Sequence, residues 1–306
     1  MATGISMNFL SIRETSPAAL EEILKSAADV KKNRSKYAHA LDGRTLVMLF
    51  EHASTRTRVS FDVAMRQLGG HAIDLDYPQT QMARGETVSD TGRVLGKYAD
   101  ILLARLWSQQ DLVDLAVGAK VPVINGRTDE EHPCQAMADL LTMRERGLLG
   151  AGKRFCLLGD ASRNMTTSLM LACAKTGMEV TLACPRDKQP HERTLKEART
   201  FAPVRVVHDP REGASGADVL YTDVWVESGR GENEASALKD FDGFQLNEKL
   251  LGRARPHAIV MHPLPARRGV EITSDVLDGP HSAVWDQAEN RLHVQKAILL
   301  KLLSPS

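Results

Sequence analysis

The chain has 306 residues, 42% hydrophobic and 25% charged, which suits a soluble globular protein with room for two ordinary domains and full apolar cores. Lys plus Arg and Asp plus Glu each total 39, so there is neither the basic excess of a nucleic-acid binder nor a polybasic segment for a membrane surface, and a small-molecule partner is expected. Apolar runs are too short to span a bilayer, no secretory leader pattern opens the chain, and Cys134, Cys156, Cys173 and Cys184 lack CxxC spacing, so a cytoplasmic protein without disulfides, metal or other cofactor is expected.

In chain order, Ser16 and Pro17 read as a cap and a first-turn proline, after which Leu20, Ile23, Leu24, Ala27 and Val30 recur at helical spacing. The continuous apolar run at 46–50 is that of a buried parallel strand, and the spacing over 59–68 predicts a helix closed by Gly69 and Gly70. A strand at 71–76, a polar loop at 79–87, a helix at 89–98, a strand at 101–105, a helix after Gln109 and a strand at 121–125 follow. This alternation predicts an α/β fold with a parallel sheet. A long helix opening at 131–135 runs to about Arg146, where Gly147 and Gly150 break the pattern. The domain junction is placed there, giving a first domain at 1–147 and a second at 148–289. The second half restarts with a strand from Arg154, a helix at 164–176, strands at 179–183, 204–208, 219–222 and 258–261, and a last helix at 290–303.

Residues 50–58 occupy the turn between the first strand and the helix that follows it. Ser54, Thr55 and Thr57 bring hydroxyls and free N–H groups to a helix N-terminus, and Arg56 and Arg58 add two permanent planar cations. Arginines are unfavourable at the positive end of a helix unless an anion neutralises them, so the turn reads as a phosphate cradle. In an open parallel sheet ligands gather beyond the carboxyl ends of the strands. The residues there are polar: Arg105, then His132 with Gln135, then Asp160 to Asn164, Asp223 and His262. Cys134 reads as an ordinary helix residue.

These segments, with His132-Pro133-Cys134-Gln135, Asp223-Val224-Trp225, His262-Pro263-Leu264-Pro265 and Glu289-Asn290-Arg291, resemble in order and spacing the motifs of the ornithine carbamoyltransferases, from about residue 8 to 303. The resemblance implies two doubly wound parallel-sheet α/β domains, with the C-terminal helix at 290–306 packing back on the first. It also implies a homotrimer, or a multiple of trimers, with sites at subunit interfaces. Carbamoyl phosphate would be bound by Ser54, Thr55, Arg56, Thr57, Arg58, Arg105, His132, Gln135 and Arg291, with Gln81 lent by a neighbouring subunit. Ornithine would be bound by Asn164, Asp223, Glu227, Ser228, His262, Pro263 and Leu264, with carbonyls of the 262–264 turn accepting hydrogen bonds from the carbamoyl amino group. In such a transfer a neutral amine attacks a carbonyl whose leaving group is phosphate, so the protein must neutralise the phosphate and polarise the carbonyl oxygen. Arg56, Arg58 and Arg291 suit the first task, and Arg105, His132 and the Thr57 hydroxyl the second. No nucleophilic side chain is required.

The chain departs from the family at three places. Glu227 and Ser228 stand where ornithine enzymes carry Ser-Met, Arg163 stands in the place of the first of two asparagines and leaves Asn164 alone, and Pro263 replaces a cysteine. Three acceptors remain open. Arg163 and Glu227 pair and ornithine is kept; a diamine such as putrescine sets its far ammonium on Glu227; or a different diamino acid sets its carboxylate on Arg163. A non-catalytic metabolite-binding relative is disfavoured by the intact phosphate-side residues, and a nicotinamide dehydrogenase by the lack of a GxGxxG turn at 159–163.

Overall fold

A computed structural model describes residues 7–226 and 238–303. The chain divides into two compact units, Met1–Leu141 with Asn290–Ser306, and Thr142–Glu289. Among the described residues, the strands of the first unit are β1 (Thr45–Phe50), β2 (His71–Asp76), β3 (Ile101–Arg105) and β4 (Val123–Arg127), in a four-stranded parallel sheet of order β2-β1-β3-β4. Those of the second are β5 (Arg154–Leu158), β6 (Glu179–Ala183), β7 (Val204–Val207), β8 (Val219–Thr222) and β9 (Ile259–Met261), in a five-stranded parallel sheet of order β7-β6-β5-β8-β9.

Both orders reverse direction once. In the first sheet the chain steps from β1 out to β2 and returns past β1 to β3; in the second it steps from β5 through β6 to β7 and returns to β8 beside β5. Connections leave opposite faces at such a reversal, so a crevice opens beyond the carboxyl ends of the two strands that flank it. The crevice of the first unit therefore lies after Phe50 and Arg105, and that of the second after Leu158 and Thr222. In the pairing of β3 with β4 the register shifts between Ala104, opposite Asn125, and Arg105, opposite Arg127, so the extra residue, Gly126, lies on β4.

The interior strands of the first unit carry continuous apolar runs, as buried parallel strands do. Leu46, Val47, Met48, Leu49 and Phe50 are all buried, as are Ile101 to Ala104. β2 differs: it is an edge strand, and His71, Ile73 and Asp74 are exposed along it. Among the described residues no helix is long and apolar enough to cross a membrane, and no group of His, Cys, Asp or Glu side chains has the arrangement of a metal site.

Two helices that carry site segments are joined backbone to backbone. α3 (Val88–Leu95) follows the polar loop with Gln81, and α4 (Gln109–Ala119) follows Arg105. A Cβ added at Gly118 would lie 2.2 Å from the Ser89 carbonyl oxygen, and one at Gly96 would lie 1.9 Å from that of Ala119. Only glycine permits so close an approach, since the obstacle is main chain rather than a movable side chain. Gly118→Ala is expected to lower stability by about 1–3 kcal/mol in urea unfolding through overpacking, whereas Val117→Ala, at an exposed neighbour, should stay within about 0.5 kcal/mol of the parent. Equal stabilities would refute the backbone contact.

Candidate active site

In the first unit, β1 runs out at Phe50 and α2 (Thr55–Gln67) begins after Ser54. Ser54 takes an extended conformation (φ −156°, ψ 94°), and its hydroxyl makes no capping hydrogen bond to the helix. The first-turn N–H groups of α2 are thus not capped by that side chain, and the helix dipole adds its positive end to them. Thr55 and Arg56 are exposed on this turn. Thr57 points the other way and is buried.

Thr57 leads to the centre of the arrangement. Its Oγ1 accepts a hydrogen bond from Arg291 Nη2 at 2.7 Å, and Arg291 Nη1 donates to Gln135 Oε1 at 3.2 Å. Gln135 Nε2 in turn donates to the buried Asp139 Oδ1 at 2.8 Å. One guanidinium on the C-terminal helix (Val284–Leu303) therefore joins α2 to α5 (Pro133–Glu145). Arg105 is buried at the end of β3, whose carbonyl accepts the Glu51 N–H at 3.0 Å, so the two strands flanking the crevice stay in step up to their ends.

His132 stands just before Pro133, the residue that opens α5, and is buried. Its imidazole is held well below the ordinary value of 6.5 by burial first, and then by the positive charges of Arg291, Arg105, Arg127 and His52. At neutral pH it is an uncharged ring that can donate one hydrogen bond among fixed cations. Cys134 is not a nucleophile: it is buried, its thiol lies 3.4 Å from the Asn125 carbonyl oxygen, and burial pushes its pKa up to about 12.

Two of the expected phosphate-side residues sit differently from the others. Arg58 forms ion pairs with Asp74 (3.0 Å) and Asp76 on β2 and lies over the Phe50 ring at 4.7 Å, so two carboxylates already offset its charge. Gln81 is exposed at the start of a short 3₁₀ turn, where its Oε1 accepts from Arg84 at 3.4 Å. Beside the cradle lies a cavity of about 540 Å³ lined by Glu51, His52, Ser54, Thr55, Asp76 and Gln79 among others. Sequence reasoning missed Glu51, whose carboxylate accepts the Trp107 N–H at 2.7 Å, and His52, stacked on the Trp107 ring at 4.3 Å. Their position directly after β1 was the available signal.

In the second unit, the turn from β5 into α6 (Asn164–Lys175) is drawn together by Asp160. Its carboxylate accepts from Ser162 N–H (2.9 Å), the Ser162 hydroxyl (2.6 Å) and Arg163 Nε (3.1 Å), while Arg163 Nη2 donates to the Trp225 carbonyl at 2.6 Å. Arg163 thus has a counter-charge within its own turn, and the expected pairing with Glu227 falls on a residue that is not described. Glu227 and Ser228 lie outside the described residues. Asn164 opens α6, and its Oδ1 accepts the Met165 N–H; Asp223 follows β8, and its Oδ1 accepts the Val224 N–H. His262 follows β9 and is buried, and Pro263 and Leu264 continue the turn partly exposed, with Leu264 at φ +56°.

Two parallel sheets, each with polar side chains gathered at its strand reversal, and in one of them a buried arginine beside an open helix N-terminus, define an α/β protein built to hold small polar ligands. The sequence description "Aspartate/ornithine carbamoyltransferase, carbamoyl-P binding domain" matches residues 7–145, and its companion "Asp/Orn binding domain" matches 151–302. Ornithine carbamoyltransferase from Nostoc punctiforme is 47% identical over 99% of this chain and 99% of its own length. That of Methanosarcina mazei is 45% identical over 96% and 98%. The solved structure of ornithine carbamoyltransferase from Pyrococcus furiosus superposes with a TM-score of 0.92 at 42% identity, covering 97% of both chains. The chain belongs to the aspartate/ornithine carbamoyltransferase family.

The state of His132 gives a measurable pH dependence. Its folded value lies below the unfolded one, so the unfolded chain takes up the proton first as pH falls. The stability linked to this group is therefore present above the unfolded value near 6.5 and is lost progressively below it. The difference in unfolding free energy between wild type and His132→Gln should accordingly shift by up to about 1.4 kcal/mol per pH unit on the acid side. A parallel pair of stability profiles, or an NMR titration of His132 at or above its ordinary value, would contradict this.

Proposed function

We propose that this chain transfers the carbamoyl group of carbamoyl phosphate to the δ-amine of L-ornithine, giving citrulline and phosphate. The observation that carries the reading is the buried junction of Arg291 with Thr57 and Gln135, set beside Arg105 and a neutral His132 at the strand reversal of the first unit. The family match and the relatives bearing the name ornithine carbamoyltransferase supply the reaction.

Ser54, Thr55, Arg56 and the α2 N-terminus take the phosphate, and Arg291 with Gln135 closes the site around it. Arg105, the Thr57 hydroxyl and the neutral His132 ring donate to the carbonyl oxygen, where negative charge grows as the amine adds. The ornithine δ-nitrogen attacks as the neutral base: its lone pair forms the N–C bond, the bond from the carbonyl carbon to the oxygen bridging to phosphorus breaks, and phosphate leaves with that electron pair and takes up the proton the nitrogen sheds. The carbamoyl group arrives already activated, so holding both reactants in place supplies much of the rate. Arg58, paired with Asp74 and Asp76, fixes the cradle to β2.

In the second unit Asp223 takes the α-ammonium of ornithine and Asn164 its α-carboxylate, and the family resemblance gives Glu227 and Ser228 to the same ligand. Carbonyls of the His262–Leu264 turn accept from the carbamoyl amino group. Because Asp160 offsets Arg163, that arginine does not turn the pocket into a site for an additional anionic group. Working as a homotrimer in the cytoplasm, each site is completed by Gln81 of a neighbouring copy, which suits its exposed position.

With carbamoyl phosphate fixed, ornithine is expected to show the highest kcat/KM among ornithine, putrescine, lysine, diaminobutyrate, diaminopropionate and aspartate, and to turn over faster as pH rises toward the pKa of its amine. Putrescine turning over with the higher specificity constant, and Glu227→Ser reversing that preference, would instead make Glu227 the seat of a far ammonium. For assembly, mixed Gln81→Ala and Arg56→Ala subunits should recover part of the activity each variant lacks alone. Mixed trimers verified by mass that recover none would refute a shared site.

A further inference from the structure

The turn that follows β9 is held from behind by a carboxylate to which the reaction above gives no part. The side chains of His262 and Glu271 are both fully buried, and His262 Nε2 lies 3.1 Å from Glu271 Oε1. The other ring nitrogen, Nδ1, lies 2.9 Å from the backbone nitrogen of Leu264. A backbone N–H can only donate, so Nδ1 is the acceptor and the ring proton sits on Nε2, where it is donated to Glu271. The same carboxylate oxygen accepts the backbone N–H of Arg267, and the His262 N–H donates to Gln287 Oε1 at 2.9 Å. Glu271 thus grips the turn at both ends, through the ring at 262 and the main chain at 267.

The residue held between them is strained. Leu264 sits at φ +56°, a left-handed conformation that a residue with a side chain keeps only where its surroundings impose it. The hydrogen bond from its N–H to His262 Nδ1 is one such constraint. In the opposite tautomer Nδ1–H would meet the Leu264 N–H donor against donor, and the bond would be lost.

We propose that Glu271 is a positioning residue for carbamoyl transfer: by accepting the Nε2 proton of His262 it keeps Nδ1 as the acceptor for Leu264, and so aims the turn carbonyls that receive the carbamoyl amino group. This rests on the part given to the His262–Leu264 turn in the proposed function. Both donors converge on Oε1, while Oε2 has no hydrogen-bond partner among the described residues. What the turn requires at 271 is therefore one acceptor oxygen, which an amide supplies and an alkyl chain does not.

The test compares wild type, Glu271→Gln and Glu271→Leu, each carrying ¹⁵N-labelled histidine, with the His262 resonances assigned by their loss in His262→Asn. The free wild type and Glu271→Gln are expected to show the Nε2–H tautomer at His262, and Glu271→Gln to keep kcat within about threefold of the parent. Glu271→Leu should mix the tautomers and lower kcat by about 10- to 100-fold through misplacement of the turn. Its affinity for carbamoyl phosphate, set by the first unit, should change less than about threefold. An Nδ1–H tautomer in the wild type, a Glu271→Leu variant with full kcat, or a Glu271→Gln variant as impaired as Glu271→Leu overturns the proposal. If Glu271→Leu does not fold, the wild-type tautomer and the kcat of Glu271→Gln decide it. An Nε2–H tautomer in a wild type that carbamoylates no ornithine overturns the proposed function instead, and with it the catalytic purpose of the turn.

Discussion

One buried guanidinium organises the first unit. Arg291 reaches Thr57 across 234 positions of chain and Gln135 across 156, and no local preference of helix or turn could bring those three together. A buried cation is costly to desolvate and is kept only where hydrogen bonds or a counter-charge offset the cost. Here a hydroxyl and an amide are two of its partners, with the charge of Asp139 one hydrogen bond further along at Gln135. The charge of Arg291 has a second effect: after burial, it and the charges of Arg105 and Arg127 keep His132 uncharged. The cluster thus has one place suited to a dianionic leaving group and, beside it, a neutral donor suited to a carbonyl oxygen.

The same logic of strand reversal operates in both units with different chemistry. In the first, the residues after β1 and β3 are arginines, hydroxyls and an open helix N-terminus, which suit phosphate. In the second, the residues after β5, β8 and β9 are Asn164, Asp223 and a turn of main-chain carbonyls, which suit an amino acid and an amide nitrogen. Neither fold nor reversal dictates a substrate. The side chains that follow the strands do, and within the second unit Asp160 takes up the charge of Arg163.

Much of this was legible in the sequence, for a physical reason. Buried parallel strands carry apolar runs, so 101–105, 179–183 and 219–222 are strands over the lengths their composition indicates. Where a strand end is set by pairing, reading is poorer. β4 begins at Val123 rather than Val121, and Pro122, which has no N–H to donate, contributes only its carbonyl to Leu102. The C-terminal helix begins at Val284, earlier than its sequence pattern indicates, and Asn290 lies within it as a buried acceptor for Lys31. The short helices α7 (Glu192–Ala198) and α8 (Pro210–Ala214) span too few residues to establish a period. For the site, position after a strand picked out Ser54, Arg105 and His262. Arg291 was visible only through family resemblance, being one charged residue within a helix, and the partners of Arg58 and Arg163 depended on which carboxylates the fold brought near.

The account stands on Arg291 as the buried cation for carbamoyl phosphate, and calorimetric titration of wild type and Arg291→Met with that ligand tests it directly. Loss of one partner of a desolvated charge pair costs about 2–5 kcal/mol, so the variant should bind carbamoyl phosphate at least about thirtyfold more weakly while retaining its circular dichroism and cooperative melting. A folded Arg291→Met protein with undiminished affinity would contradict the account at its centre.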